Sequence, residues 1–359
     1  MTLAQAELYA AMGKAHIQAL WTQAGDLMPS RPRSRAAAWL WRWDTVLALA
    51  AEAGQAVPVG RGGERRALAL ANPGLGGLPF ATPTLWGAMQ YLNARESAPA
   101  HRHTAAAIRF VLQGQGVWTT VNGEPCPMSR GDLVLTPSMT WHEHHSGADE
   151  PMVWFDGLDL PLVRTLDAVF FDPGPEEPAS YQAAHVSRSE QRYGGAGLLP
   201  AELRPADGDA RTVGDPASGR SSRLLAYRWA AVDMALNRLM ESSGRLTAAV
   251  RYADPATGRD IMPTLRAEMH RVLAGHRTEP VRTVGSAIWV VYRGAGATVV
   301  DGQRLRWTAG DMFVTPSWAA VSHEADDDAD LFLLSDRPVL EALGLARTEV
   351  VAPHAAGEL

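Results

Sequence analysis

A repeat constrains this chain more than any other feature. Gly123, Gly131 and Pro137 recur as Gly302, Gly310 and Pro316, each 179 positions further along, while Gly114 recurs as Gly294 at 180. The second copy is therefore one residue shorter in a turn. In the first copy the glycines separate short β-rich runs at 108–113, 117–121, 133–136 and 152–155, and a matching pattern occupies 281–334. Short strands at even spacing, divided by glycine turns, are the sequence form of an antiparallel meander or double-sheet barrel. The chain is thus predicted to be mainly β, with two copies of one barrel.

Other segments frame the copies. Apolar residues at helical spacing over 3–24 (Leu3, Ala6, Leu8, Met12, Ile17, Leu20, Trp21) predict an amphipathic helix, broken by the Pro/Arg-rich stretch 28–35. Trp39, Trp41 and Trp43 read as core or subunit interface, and a second helical pattern covers 45–53. Residues 64–70 read as a strand that ends at the turn Asn72-Pro73-Gly74. Residues 172–220, rich in Pro, Gly, Ser and charge, read as a connector, with helices predicted over 224–240 and 264–273. The expected division is an N-terminal helical segment (1–60), a first barrel (61–171), a connector with helices (172–275) and a second barrel (276–359).

Composition excludes several classes. A formal net charge of −6 leaves no basic footprint for nucleic acid. The single cysteine, Cys126, permits no internal disulfide and suits a reducing compartment. The N-terminus lacks a basic region followed by an apolar core, and no stretch approaches the roughly 18 apolar residues of a membrane span. These features read as a soluble cytoplasmic protein.

The chemistry is concentrated in the first copy. His101 and His103 share a face if they lie on a strand, because alternate residues point the same way. His142 and His144 repeat that spacing, so the two pairs can converge inside a barrel as an imidazole metal site, for iron or for zinc. In the second copy Val281, Thr283 and Val321 stand where His101, His103 and His142 stand in the first, so no such site is expected there. His323, aligned with His144, then reads as structural. Arg109, six residues after His103, shares the inward face on a straight strand, and a buried guanidinium there calls for an anionic partner. Of Arg65 and Arg66, only one can face inward from their strand. Glu143 and His145 read as solvent or structural residues, and Thr136 as strand only.

His101-x-His103 followed by Gly131-x5-Pro137-x4-His142 resembles the paired motifs of the cupin superfamily. The longer strings HRHTAAAIRF, GDLVLTPSMTWHEH, WFDGLDLPLV, RRALALANPGL and ATPTLWGAMQYL resemble the bicupin family that cleaves the rings of gentisate, salicylate and 1-hydroxy-2-naphthoate. That resemblance covers most of the chain. It implies two double-stranded β-helix (jelly-roll) barrels and Fe(II) held by His101, His103 and His142, without the glutamate many cupins place after His-x-His. It further implies His144 donating to substrate oxygen or O2 in acid–base chemistry and Arg109 contacting the substrate. Asp156 would orient histidine or arginine side chains, Arg65 would clamp the substrate carboxylate and leave Arg66 at the surface, and Trp86 and Gln90 would line the pocket. Gly87, Ala88 and Met89 would tune substrate choice. The implied reaction is O2-dependent, extradiol-type cleavage of gentisate between its carboxyl-bearing and adjacent hydroxyl-bearing carbons, giving maleylpyruvate, by a homotetramer. The same chemistry on salicylate, on 5-nitro or 5-halo salicylates or on 1-hydroxy-2-naphthoate is the alternative. Rival readings are a non-oxidative metal cupin and a ligand-binding protein.

Overall fold

The computed structural model describes residues 2–58, 66–174, 186–194, 198–200 and 221–351. The chain divides into two compact units, residues 1–34 and 35–359. In the first, helix Leu3–Lys14 opens with a capping box in which Thr2 and Gln5 satisfy each other's backbone amides. The helix predicted over 3–24 stops at Lys14. His16 takes a left-handed φ of 55°, which breaks the ladder, and a short 3₁₀ turn, Leu20–Thr22, follows. None of the Leu3–Lys14 side chains is buried.

The second unit holds four sheets among the described residues. A six-stranded sheet runs Ala226–Tyr227, Leu133–Thr136, Ala107–Gln113, Met152–Leu158, Trp86–Leu92, Leu68–Ala69. A seven-stranded sheet runs Trp39–Trp41, Met312–Thr315, Ala287–Arg293, Ala329–Ser335, Arg266–Val272, Thr247–Tyr252, Leu198–Pro200. These two pack face to face, and Phe110 stacks on Phe332 with ring centroids 4.2 Å apart in their shared core. A five-stranded sheet closes each into a barrel. Strand periodicity divides the side chains: Ile108, Phe110 and Leu112 enter the shared core, while Val111 joins Val117, Val121 and Trp154 inside the first barrel.

Residues 264–273, predicted helical, form strand Arg266–Val272 instead. It lies between Thr247–Tyr252 and Ala329–Ser335 and is covered on both faces, with Met269 in the shared core and Val272 inside the second barrel. Arg266, Glu268 and His270 alternate with Ala267 and Met269 at the period of a strand, but Arg271 cuts the alternation short before Val272. A surviving signal is Pro83-Thr84-Leu85, which leads into strand Trp86–Leu92 and recurs as Pro263-Thr264-Leu265. The helix expected over 224–240 runs Trp229–Ser243, behind strand Ala226–Tyr227. Of the strand expected over 64–70, Leu68–Ala69 pairs with its neighbour, while residues 64 and 65 lie outside the described part.

The two halves exchange arms. Strand Trp39–Trp41, which precedes the first barrel, adds to the second barrel beside Met312–Thr315. Strand Ala226–Tyr227, which precedes the second, adds to the first beside Leu133–Thr136. Each arm continues into a helix whose N-terminus is capped by an aspartate of the barrel it has joined. Asp311 accepts from Trp43 N at 2.8 Å and Arg42 Nη1 at 2.9 Å; Asp132 accepts from Trp229 N at 3.0 Å and Arg228 Nη1 at 2.6 Å. The glycine before each aspartate has no substitute. Gly131 and Gly310 have φ of 88° and 91°, and a Cβ there would lie 2.9 Å from the Trp229 Cβ and 2.5 Å from the Trp43 ring. A second exchange links the barrels: Asp159 accepts from Thr264 Oγ1 at 2.5 Å, and Asp336 from Thr84 Oγ1 at 2.5 Å.

Asp132→Ala and Asp311→Ala should each lower the unfolding free energy by about 1–3 kcal/mol in urea titrations, through a lost cap and a lost contact to Arg228, which keeps Glu190, or to Arg42. Burial pushes the Asp159 carboxyl up to about 6 despite donation from Thr264 and Ala106 N. Its native pKa therefore exceeds its unfolded one, so its stabilising contribution is complete below about pH 4 and is lost as pH rises through 6. Asp159→Asn should remove that fall, and wild type should lose up to about 3 kcal/mol relative to the variant between pH 4 and 7.

Candidate metal centre

Three histidines meet inside the first barrel. His101 and His103 sit on strand Ser97–His103, and His142 opens strand His142–Ser146, directly opposite His101. A bulge between Ala98 and His101 shifts the register so that His101 and His142 become cross-strand partners. One ring nitrogen from each of the three lies within 4.8 Å of the others. Ring centroids are 5.3 Å apart for His101–His103, 4.2 Å for His101–His142 and 5.0 Å for His103–His142.

The backbone sets their tautomers. His103 Nδ1 lies 2.7 Å from Ala105 O, and His142 Nδ1 lies 3.0 Å from Thr140 O. A carbonyl only accepts, so each Nδ1 carries the hydrogen and each Nε2 keeps its lone pair for an ion. The donor chemistry fits a first-row divalent metal: three neutral imidazoles on one side of an ion, no carboxylate in the set, and the remaining positions left to other ligands. Phe171, on strand Phe171–Pro173, stacks on His101 at 5.4 Å. Nothing in the local sequence marked that contact.

His144 stands one turn of the strand pleat away. Its ring is 6.4 Å from that of His142 and packs 5.1 Å from Trp154, and it lies outside the three-histidine group. Thr119 Oγ1 lies 2.8 Å from its Nδ1. The second barrel repeats the pair as Thr298 and His323 at 2.9 Å, so the repeat could have identified Thr119 beforehand.

Arg109, Asp156, Trp86 and Gln90 share the opposite wall. On strands Trp86–Leu92, Met152–Leu158 and Ala107–Gln113, Asp156 is flanked by Ala88 and Arg109, and Gln90 faces Trp154 one row on. Arg109 is 3% exposed, donates from Nη1 to Thr136 Oγ1 at 2.8 Å and sits 3.5 Å from Asp156 through Nε. Burial lowers its pKa and the Asp156 carboxylate counters that. Asp156 also accepts from Trp154 Nε1 at 3.1 Å. Gln90 Nε2 is buried with no hydrogen-bond partner among the described residues. Thr136, which the sequence left without a role, therefore braces the guanidinium.

Other residues fall elsewhere. Of the three neighbours expected to tune substrate choice, Ala88 alone shares the wall with Arg109. Met89 lies in the shared core, and a side chain on Gly87 would meet Ile288 and Phe155 at 3.0 Å. Arg65 lies outside the described residues. Arg66 is not the surface residue it was expected to be: it is 5% exposed and donates to Gly54 O, Val57 O, Tyr91 O and Glu96. Glu143 and His145, expected as solvent or structural residues, are 3% and 7% exposed on the other face of their strand, with His145 stacked on Trp118 at 5.5 Å.

A cupin-domain family profile matches residues 88–158. The chain is 50% identical to the gentisate 1,2-dioxygenase of a Streptomyces species, over 95% of this chain and 94% of that one. It is 34% identical to the 5-aminosalicylate 1,2-dioxygenase of a Comamonas species, over 97% and 91%. The crystal structure of salicylate 1,2-dioxygenase from Pseudoaminobacter salicylatoxidans, in adducts with gentisate, superposes with a TM-score of 0.89 at 46% identity, covering 98% of this chain and 95% of that one.

His101→Ala and His142→Ala should each reduce bound divalent metal at least about tenfold by elemental analysis, with the far-ultraviolet circular dichroism unchanged.

Proposed function

The chain belongs to the gentisate and salicylate 1,2-dioxygenase family, and we propose that it opens the ring of gentisate with O2. The bond cleaved joins the carboxyl-bearing carbon to the adjacent hydroxyl-bearing carbon, and both atoms of O2 enter the product, maleylpyruvate. One observation carries the reading: a carboxylate-free set of three imidazoles shares a barrel with a buried arginine.

We further infer that His101, His103 and His142 hold Fe(II). When bound, the ion supplies the one-electron chemistry through which O2 reacts with an aromatic ring, while three neutral ligands leave its charge for an anionic substrate to balance. Arg109 attracts the substrate carboxylate or phenolate into a site where that charge has few other partners. Asp156 and Thr136 hold the guanidinium in place, so no reorganisation is needed when the substrate enters. Gln90 directs its Nε2 hydrogens to a substrate oxygen, which gives that buried donor its acceptor.

His144 holds a proton at Nε2 and delivers it to the substrate oxygen. Thr119 supports this, since an imidazole nitrogen is a better acceptor than the Met128 sulfur 3.1 Å from the same hydroxyl. Trp86 walls the ring. Arg65 remains the proposed second clamp for the carboxylate.

The relation to salicylate and 5-aminosalicylate dioxygenases supports the same chemistry on salicylates as a second reading. Residues 1–34, which expose Leu3, Ile17, Trp21, Leu27 and Met28, support assembly as a homotetramer. Among the described residues no helix is long and apolar enough to cross a membrane.

Oxygen uptake by the ferrous-loaded enzyme should be fastest with gentisate in a panel that includes salicylate, 5-substituted salicylates and 1-hydroxy-2-naphthoate. Faster turnover of salicylate than of gentisate would replace the first reading with the second, and undiminished turnover without O2 would sink both. Arg109→Met should lower kcat/KM by about 10²-fold or more, the loss expected when a buried charge partner is removed.

A further inference from the structure

The second barrel has kept its cavity and changed its chemistry. Val281, Thr283 and Val321, the counterparts of the three histidines, line a cavity of about 550 Å³. Strand register places Trp289 opposite Leu333, where the first barrel has Arg109 opposite Asp156. The matching strand carries Glu268 and His270 where the first barrel has Ala88 and Gln90. The first barrel offers its ligand an arginine backed by Asp156, and the second offers a carboxylate backed by His270.

Glu268 is 8% exposed, and His270 Nε2 at 2.7 Å is its one hydrogen-bond partner among the described residues. The cavity's two arginines are already committed. Arg266 donates four hydrogen bonds to Asp260 and Glu341, and Arg337 donates to Glu341 and Thr348. Four acidic side chains line the space against those two arginines and His270, so an anionic ligand would meet an unfavourable field.

The remaining walls suit a flat apolar body. The Trp289 ring lies 5.1 Å from His270 and 4.5 Å from His323, and its N–H is engaged by Thr315 Oγ1 at 3.0 Å. Thr298 Oγ1 accepts from Trp307 Nε1 and lies 2.9 Å from His323 Nδ1, which holds the His323 ring at the cavity wall. His323 adds no charge, because burial and His270 pull its pKa down to about 3.

We propose that this cavity binds a small organic cation, an ammonium or amidinium group on an apolar body about one ring in size. Its charge rests on Glu268 and its body against Trp289, Val281 and Val321. Glu268 and Trp289 line the cavity from the strands on either side of Leu333, so a cation can meet the carboxylate while its body meets the indole.

The test is isothermal titration of the full-length, metal-loaded protein, kept anaerobic and saturated with gentisate so that the first barrel is filled. Benzylamine and benzamidine are the cationic probes, benzyl alcohol the neutral one and benzoate the anionic one. The cations should bind, and Glu268→Gln should weaken them at least about tenfold while gentisate turnover stays within about twofold. Should Glu268→Gln fail to fold, Val321→Phe, which fills the cavity, should abolish cation binding. The proposal is overturned if neither cation binds up to about 10 mM, if benzyl alcohol or benzoate binds as tightly, or if the folded variant binds the cations as wild type does.

Discussion

A carboxylate at the corner of each barrel holds the end of a helix belonging to the other half. Asp132 and Asp311 each take a backbone N–H and an arginine from an arm that comes before the opposite barrel. The helix dipole and the arginine charge both act on the same buried carboxylate, and the adjacent glycine lets a tryptophan approach where a side chain would collide. The arm strands add to the sheets on either side of this corner. Much of the remaining architecture follows: the wide sheets face each other, Phe110 meets Phe332, and the strands that carry the histidines and Arg109 acquire a rigid back wall.

That rigidity matters for the chemistry. Imidazoles held by Ala105 O and Thr140 O present their lone pairs before any ion arrives, and Arg109 is braced by Thr136 and Asp156 before any anion does. Within one barrel the site sets a buried arginine–aspartate pair across from neutral ligands. Strand alternation is enough to build this, because one face supplies the chemistry and the other anchors the strand in the shared core.

Much of this was legible in the residues. The histidine pairs declared their geometry because a strand repeats every two residues, and the glycine spacing declared the duplication. Other features escaped because they depend on partners far along the chain. Asp132 reads as an ordinary turn residue until Trp229 arrives beside it, and Arg66 reads as surface until three carbonyls and Glu96 converge on it. Residues 266–272 keep a strand period only as far as His270, because Arg271 stands on the face of Met269, where Asp330 and Asp233 hold its guanidinium. Thr119 and Thr136 carried no motif of their own, although Thr298 and Thr315 repeat both in the second copy.

The exchanged arms make the smallest unit with a metal centre larger than the barrel that contains it. Cutting the chain after the first barrel would strip the six-stranded sheet of its edge strand, leave Trp43 with no glycine to rest on and bare the Phe110 side of the sheet to water. The copy that lacks the three ligand positions is thus a scaffold from which the working copy cannot be separated. Its interior was free to diverge, while its corner remained bound to its neighbour's helix.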